Sequence, residues 1–286
     1  MKKVLVQLDN DEFASVFDAI AAYDSGAERV LQYGGMTPED VQDLVYGAIF
    51  TRGPEDLKNS AVFIGGSDVA VGEEMLEVAQ DSFIGPLKVS VMLDANGCNT
   101  TAAAAVAKIL SSADLIGEPV TVLAGTGPVG IRAAALFAKE GAEVTLTSRS
   151  QERAEEAAAS IERRFGVDVT GVAAADDEGT RDALEGARAV LCAGAAGVTL
   201  LPESIWVDHP TLQVLGDVNA VPPLGIEGIK VHWKGKEKHG KIIYGAIGIG
   251  DFKMKVHHAS VARLFEQNDL ILDAEEVYAT AKELLG

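Results

Sequence analysis

The sequence predicts an α/β fold of two domains, each built on a mainly parallel sheet. Three observations carry this expectation. Short apolar runs alternate with runs of helical length along most of the 286 residues, the pattern of strand-helix units. The strand-like runs end in Gly, Asn and Asp clusters suited to loops and helix caps. The stretch Val120–Arg149 joins an apolar strand, the turn Gly125-x-Gly127-x-x-Gly130, an Ala-rich helix and a second strand, in that order.

Taken from the N-terminus, Val4–Leu8 reads as a strand ending at Asp9-Asn10-Asp11, and Phe13 to Tyr23 as a helix. A short strand at Arg29–Gln32 follows. Thr37-Pro38 then opens a helix to about Phe50, with Thr as N-cap and Pro in the first turn. Ala61–Ile64 is a strand that leads through Gly65-Gly66-Ser67-Asp68 into a helix from Val69 to Asp81. Lys88–Leu93 is a strand that meets Asp94–Thr101, and an Ala-rich helix runs on to about Ser112. Periodicity lapses over 113–119 and resumes at Val120. Beyond the glycine turn come a helix at Gln151–Phe165, a strand at Val167–Ala173, a helix at Glu178–Leu184, and strands at Ala189–Ala193 and 211–216. A Gly- and Lys-rich loop is expected over 234–241, then a strand-like run Ile242–Ile249, a helix opening at Gly250 and a last helix Ala274–Leu285. The expected domains are 1–112 with 253–286, and 113–252. Ligands of parallel sheets bind beyond the strands' carboxyl ends, so the active site is expected in the cleft between the domains.

The glycine turn has a physical reading. Gly125 makes the tight turn, Gly127 lets the backbone approach a pyrophosphate, and Gly130 lets helix and strand pack closely. Thr126, Pro128 and Val129 complete a helix N-terminus, whose unpaired N–H groups and positive dipole end favour phosphate. The second strand ends in Ser148-Arg149 and carries no acid for a ribose 2′-hydroxyl. A serine and a guanidinium suit a 2′-phosphate, so NADP is the expected cofactor; the other reading makes Arg149 a solvated residue opening the next helix. Ala193-Gly194, after an apolar strand, gives backbone access for the nicotinamide ribose or forms a plain tight turn. Asn219 lies in the corresponding loop after the next strand.

Composition narrows the function classes. A net charge of −19 argues against nucleic acid or an anionic membrane surface as partner. No run approaches the roughly 18 apolar residues of a membrane span. Two cysteines without metal spacing suit a reducing cytoplasm, and the N-terminal run turns acidic too soon for a signal peptide. No metal site is expected. The five histidines fall in no triad spacing, and His257-His258 reads as part of a solvated helical face. Asn96, Asn99, Thr100 and Thr101 are neutral groups able to orient a heterocycle or to cap a helix. Lys253 and Lys255 are cations that either approach a ligand or sit on the surface.

Several stretches together resemble the methylene-tetrahydromethanopterin dehydrogenase family of methylotrophic bacteria. They are Ser15-Val-Phe17-Asp18, Thr51-Arg52-Gly53, Phe63-Ile-Gly-Gly66, Asp94-x-Asn-Gly-x-Asn-Thr-Thr101, Leu123-Ala-Gly-Thr-Gly-Pro-Val-Gly130, Asn219-Ala-x-Pro-Pro-Leu-Gly-Ile226 and Gly245-Ala-x-Gly-Ile-Gly-x-x-Lys253-x-Lys255. The resemblance implies hydride transfer from N5,N10-methylene-tetrahydromethanopterin, or the tetrahydrofolate analogue, to NADP. It also implies a homo-oligomer, a trimer. Phe17 and Asp18 would line the pterin, Asn96, Asn99 and Thr100 would bind it, and Thr101, Lys253 or Lys255 would stand at the reacting ring. Two other readings are a bifunctional dehydrogenase and cyclohydrolase, with a lysine assisting water attack, and a catalytically silent NADP-binding sensor.

Overall fold

A computed structural model describes residues 1–286. Its elements open with β1 (Val4–Asp9), α1 (Val16–Asp24), β2 (Arg29–Tyr33), α2 (Pro38–Ile49), β3 (Ser60–Gly65), α3 (Val69–Asp81), β4 (Ser90–Leu93) and α4 (Cys98–Leu110). Then come β5 (Pro119–Leu123), α5 (Pro128–Lys139), β6 (Glu143–Ser148), α6 (Gln151–Phe165), β7 (Thr170–Ala173), α7 (Asp177–Ala183), β8 (Ala189–Cys192), α8 (Glu203–Trp206) and β9 (Val214–Asp217). The chain closes with β10 (Lys234–Lys238), β11 (Lys241–Tyr244), α9 (Ala246–Arg263), β12 (Ile271–Leu272) and α10 (Ala274–Glu283). Two compact units result: Met1–Thr100 with Met254–Leu284, and Thr101–Lys253 with Leu285–Gly286. No helix is long and apolar enough to cross a membrane.

The first unit holds a five-stranded parallel sheet in the order β12-β4-β3-β1-β2. Its central strands are buried along their length, as covering a parallel sheet on both faces requires. Register pairs Asp9 with Gly65 and Ile64 with Leu93. The carboxyl ends of β1, β3 and β4 are therefore level, and Asp9, Gly65 and Asp94 fall at one edge.

The second unit holds a seven-stranded sheet in the order β10-β11-β9-β8-β5-β6-β7, parallel except for β10. Its six parallel strands, numbered from β5, take the doubly wound order 3-2-1-4-5-6, with the topological switch point between β5 and β8. Leu123 pairs with Cys192, and Cys192 with Asp217, so β5, β8 and β9 also end level. Beneath them lies a core of Val190, Leu215, Ile226, Ile243 and the fully buried Trp206, whose indole N–H donates to the Glu227 carbonyl at 3.0 Å.

The structure corrects several expectations. The loop expected over 234–241 is the hairpin β10–β11. Its outer strand alternates lysine with glycine and glutamate and carries no apolar face, because an edge strand is guarded by charge rather than buried. The strand expected to reach Ile249 stops at Tyr244, and α9 begins at Ala246. Added Cβ atoms at Gly245 and Gly248 would strike the carbonyls of Lys230 and Trp233, so these glycines let the first turn of α9 lie on that backbone. The helix expected from Phe13 begins at Val16, where the Ser15 hydroxyl accepts the Asp18 N–H at 3.2 Å. The short elements α8 and β12 fall below the length at which periodicity is readable.

Candidate active site

In the second unit the glycine turn follows β5 and is fastened to β6. The Gly125 N–H donates to the Thr147 carbonyl, and the Ala124 N–H to the Thr147 hydroxyl, each at 2.9 Å. Ala124 adopts a left-handed φ of 51°, an uncommon conformation for a residue with a Cβ. A Cβ on Gly130 would stand 2.5 Å from the Gly125 backbone, and one on Gly125 2.9 Å from Val122 and Leu146. Those two glycines are demanded by the protein's own packing. Gly127 is not: a Cβ there would meet nothing within 4 Å. Its space is what a phosphate group at the N-terminus of α5 would use, with Pro128 in the first turn. Thr126 and Val129 are half-buried beside it, Ser148 is buried at the end of β6, and Arg149 next to it is exposed. These residues fit a phosphorylated dinucleotide.

The remaining residues expected at the cofactor lie at the ends of β8 and β9. Ala193 and Gly194 are half-buried, and Gly194 is hemmed by Leu200 and Ala124, 2.8 and 3.0 Å from an added Cβ. Asn219 is buried, and its side chain is engaged by its own loop. The amide nitrogen donates to the Pro223 carbonyl at 3.1 Å, and the oxygen accepts the Val221 N–H at 2.9 Å.

In the first unit, Asp94 is the centre of a buried network. Its carboxylate accepts the Thr100 N–H at 3.0 Å and the Thr100 hydroxyl at 2.6 Å, and His257 Nδ1 lies 3.2 Å away. Asn99 donates to the Leu93 carbonyl at 2.6 Å and to Asp273 at 2.9 Å. Asn99 and Thr100 are thus wholly buried, with their side chains engaged by Asp273, Asp94 and the end of β4. Asn96 is exposed at a left-handed φ of 52°, and its N–H donates to the Gly66 carbonyl at 2.6 Å. Phe17 is half exposed on α1, with its ring 6.1 Å from the His257 ring. Asp18 is half-buried and faces Gly65, where an added Cβ would stand 3.3 Å from its carboxylate.

His257 was missed by the sequence reading. Instead of lying on a solvated face it is fully buried, its ring also 5.6 Å from that of Phe63, and its Nε2 has no hydrogen-bond partner. The available signal was the helical spacing Phe252, Val256, Ser260, Leu264, all buried, which marks the inner side of α9. On that helix Lys253 precedes His257 by one turn and is half-buried, whereas Lys255 is exposed. Thr101 is half-buried in the first turn of α4.

The doubly wound sheet, its switch point and the glycine turn define a dehydrogenase of the Rossmann type. Comparison with known proteins narrows this. The profile "Methylene-tetrahydromethanopterin dehydrogenase, N-terminal" matches residues 16–96. The chain is 48% identical over 285 residues to Bifunctional protein MdtA of Methylorubrum extorquens, covering 99% of each. It is 34% identical over 295 residues to the NAD(P)-dependent methylenetetrahydromethanopterin dehydrogenase of the same organism, covering 100% of this chain and 99% of that one. The chain belongs to the methylene-tetrahydromethanopterin dehydrogenase family. Among solved structures, shikimate 5-dehydrogenase from Listeria monocytogenes shares the fold with a TM-score of 0.53 at 14% identity, over 100% of this chain and 96% of the other.

Proposed function

We propose that the chain is an NADP-dependent methylene-pterin dehydrogenase that carries a second activity on the same carrier. The observation that supports the first part is the open space at Gly127, beside two glycines fixed by packing and followed by Ser148-Arg149. The nucleotide, when bound, supplies the hydride acceptor. The substrate carbon lies between two nitrogens whose lone pairs stabilise the amidinium cation left when the C–H bond breaks and its electron pair departs. No proton moves in that step and no general base is required. The protein's task is alignment, with reacting atoms about 3–3.5 Å apart. Phe17, Asp18, Asn96 and Thr101 are proposed to hold the pterin, and Lys253 to stand at its reacting ring. Spectrophotometric NADPH formation with methylene-tetrahydromethanopterin and methylene-tetrahydrofolate, side by side, tests this reading; no turnover on either carrier would leave a nucleotide-binding sensor in its place.

The bifunctional reading, placed second from the sequence, is better supported than a single activity, because the 48% identical relative is named bifunctional. We take the second activity to be cyclohydrolase, in which water adds to the methenyl carbon and loses a proton. The unpartnered Nε2 of His257, with Asp94 behind its Nδ1, is a base suited to that proton. Decay of methenyl-pterin absorbance should accelerate with enzyme in the absence of NADP. Equal dehydrogenation of both carriers with no such decay would assign the second activity to the second carrier instead.

Self-association is also proposed, as a trimer. Val16, Ile20 and Tyr23 form an exposed stripe on α1, and Leu31 and Tyr33 are exposed on the edge strand β2. Light scattering should give three chains, and Ile20→Glu should shift the particle toward one. A cytoplasmic location accords with two buried cysteines, Cys98 and Cys192, that are not joined in a disulfide.

A further inference from the structure

Asp217 closes β9, and its side chain is fully buried. One carboxylate oxygen accepts the Asn219 N–H at 2.9 Å, and the other accepts the Ile226 N–H at 3.1 Å. The Gly225 N–H donates to the same group. A single anion thereby draws together both ends of the loop 218–226. The fastening extends further, because the Gly225 carbonyl accepts the N–H groups of Leu200 and Leu201 at 2.8 and 2.9 Å, and the Glu227 N–H reaches the Leu201 carbonyl at 3.0 Å. The loop after β8 is therefore tied to the loop after β9. Room for this is kept at Gly225, where a Cβ would stand 2.6 Å from Asp217 Oδ1 and 3.1 Å from the Cys192 Cβ. Both loops rim the strand ends beside the switch point, where a doubly wound sheet receives its ligand.

The charge is balanced by backbone N–H groups. Its titratable neighbour is Cys192 on β8, whose thiol is pushed well up by burial and then by the Asp217 charge. Burial lifts the Asp217 carboxyl to about 6, against the opposing pull of the N–H groups of Asn219, Ile226 and Gly225. An anion withdrawn from water without a cation beside it opposes folding. Such groups concentrate at functional sites.

We infer that Asp217 is a positioning residue for the nicotinamide nucleotide: its buried carboxylate holds the loops carrying Gly194 and Asn219 in the conformation that receives the cofactor. This rests on the NADP-dependent reading above. Asp217 acts through those loops and does not itself touch the nucleotide.

Asp217→Asn keeps the shape but turns an N–H toward one of the backbone N–H donors, so one tie is lost. Titration of NADP against protein fluorescence should show Kd raised about tenfold or more, the range of a hydrogen bond to a charged group, while the pterin KM stays within about twofold. In the unsubstituted chain Kd should rise as pH falls below 6, and the variant should lose that dependence. Should the variant fail to fold, NMR of the unsubstituted protein decides: the Asn219 and Ile226 amide signals should shift together with a midpoint near pH 6. A folded variant with unchanged Kd and pH profile, or two amide signals indifferent to pH between 5 and 7, would overturn the inference alone. Absence of NADP binding by the unsubstituted chain would overturn the proposed function and this inference with it.

Discussion

His257 Nδ1 lies 3.2 Å from Asp94 Oδ2, and both side chains are withdrawn from solvent. The relationship joins the end of β4 to the inner side of α9. Because Asp94 also accepts two bonds from Thr100, its carboxylate is fixed, and the imidazole is fixed by it. Nε2 is left turned away without a partner. Replacing His257 with Phe keeps ring contact with Phe17 and Phe63 and removes only the polar edge. Enzyme-dependent decay of the methenyl-pterin should slow at least about tenfold, which is about 1.4 kcal/mol, while the NADP dissociation constant, read by titration, stays unchanged.

The glycines of the turn separate packing from ligand contact. Gly130→Ala places a methyl group against the Gly125 backbone and should lower the melting temperature, by about 2–4 °C for each kcal/mol of strain. Gly127→Ala meets no protein atom, so thermal unfolding of the ligand-free chain should be unaltered. NADP affinity of that second variant should nevertheless drop, because the methyl group occupies the space through which the pyrophosphate approaches.

Arg149 is exposed at the end of β6. Arg149→Ala should raise KM for NADP by about ten- to a hundredfold, the scale of a charge-assisted bond, with little change for NAD. Steady-state kinetics with both nucleotides measures this directly, and equal effects on the two would remove the residue from 2′-phosphate recognition.

The two candidate lysines should behave differently. Lys253 is half-buried one turn before His257, whereas Lys255 is exposed and lies two positions on, away from that side of α9. Lys253→Ala should lower pterin turnover at least about tenfold, and Lys255→Ala should leave it within about twofold of the unsubstituted rate.

Asp217 also leaves a signature in stability. Its carboxyl titrates near 6 when folded, against an ordinary value of 3.8, so the folded state binds the proton more tightly. The stability this group contributes is complete below about pH 4 and is lost as pH rises through 6. The unfolding free energy of the unsubstituted chain relative to Asp217→Asn should therefore fall by about 2 kcal/mol between pH 4 and 7. Urea denaturation at the two pH values checks both sign and size.

Most of the architecture was legible because each strand ends in a residue with a local role. Thr37-Pro38 opens α2, Asp68 caps α3, and the three glycines set the turn into α5. The hairpin β10–β11 escaped notice because Lys234, Lys236 and Lys238 give an edge strand no apolar alternation. The start of α9 was obscured for the opposite reason: Gly245, Gly248 and Gly250 look like breakers, yet the first two are small because the 230–233 backbone passes beneath them. Asn99 and Thr100 were readable as polar groups at a strand end, but their burial depends on Asp273 and on Asp94, and Asp273 arrives from a distant part of the chain.

The lysines of β10 have a consequence for the protein in concentrated solution. The outer N–H and C=O groups of that strand are open to any extended segment that drifts alongside. A row of ammonium groups, drawn from a chain with net charge −19, makes self-templating by a second β10 electrostatically unfavourable. Neutralising that row would remove this protection from the border and with it the ion pairs of Lys234 with Asp251 and Lys238 with Glu203.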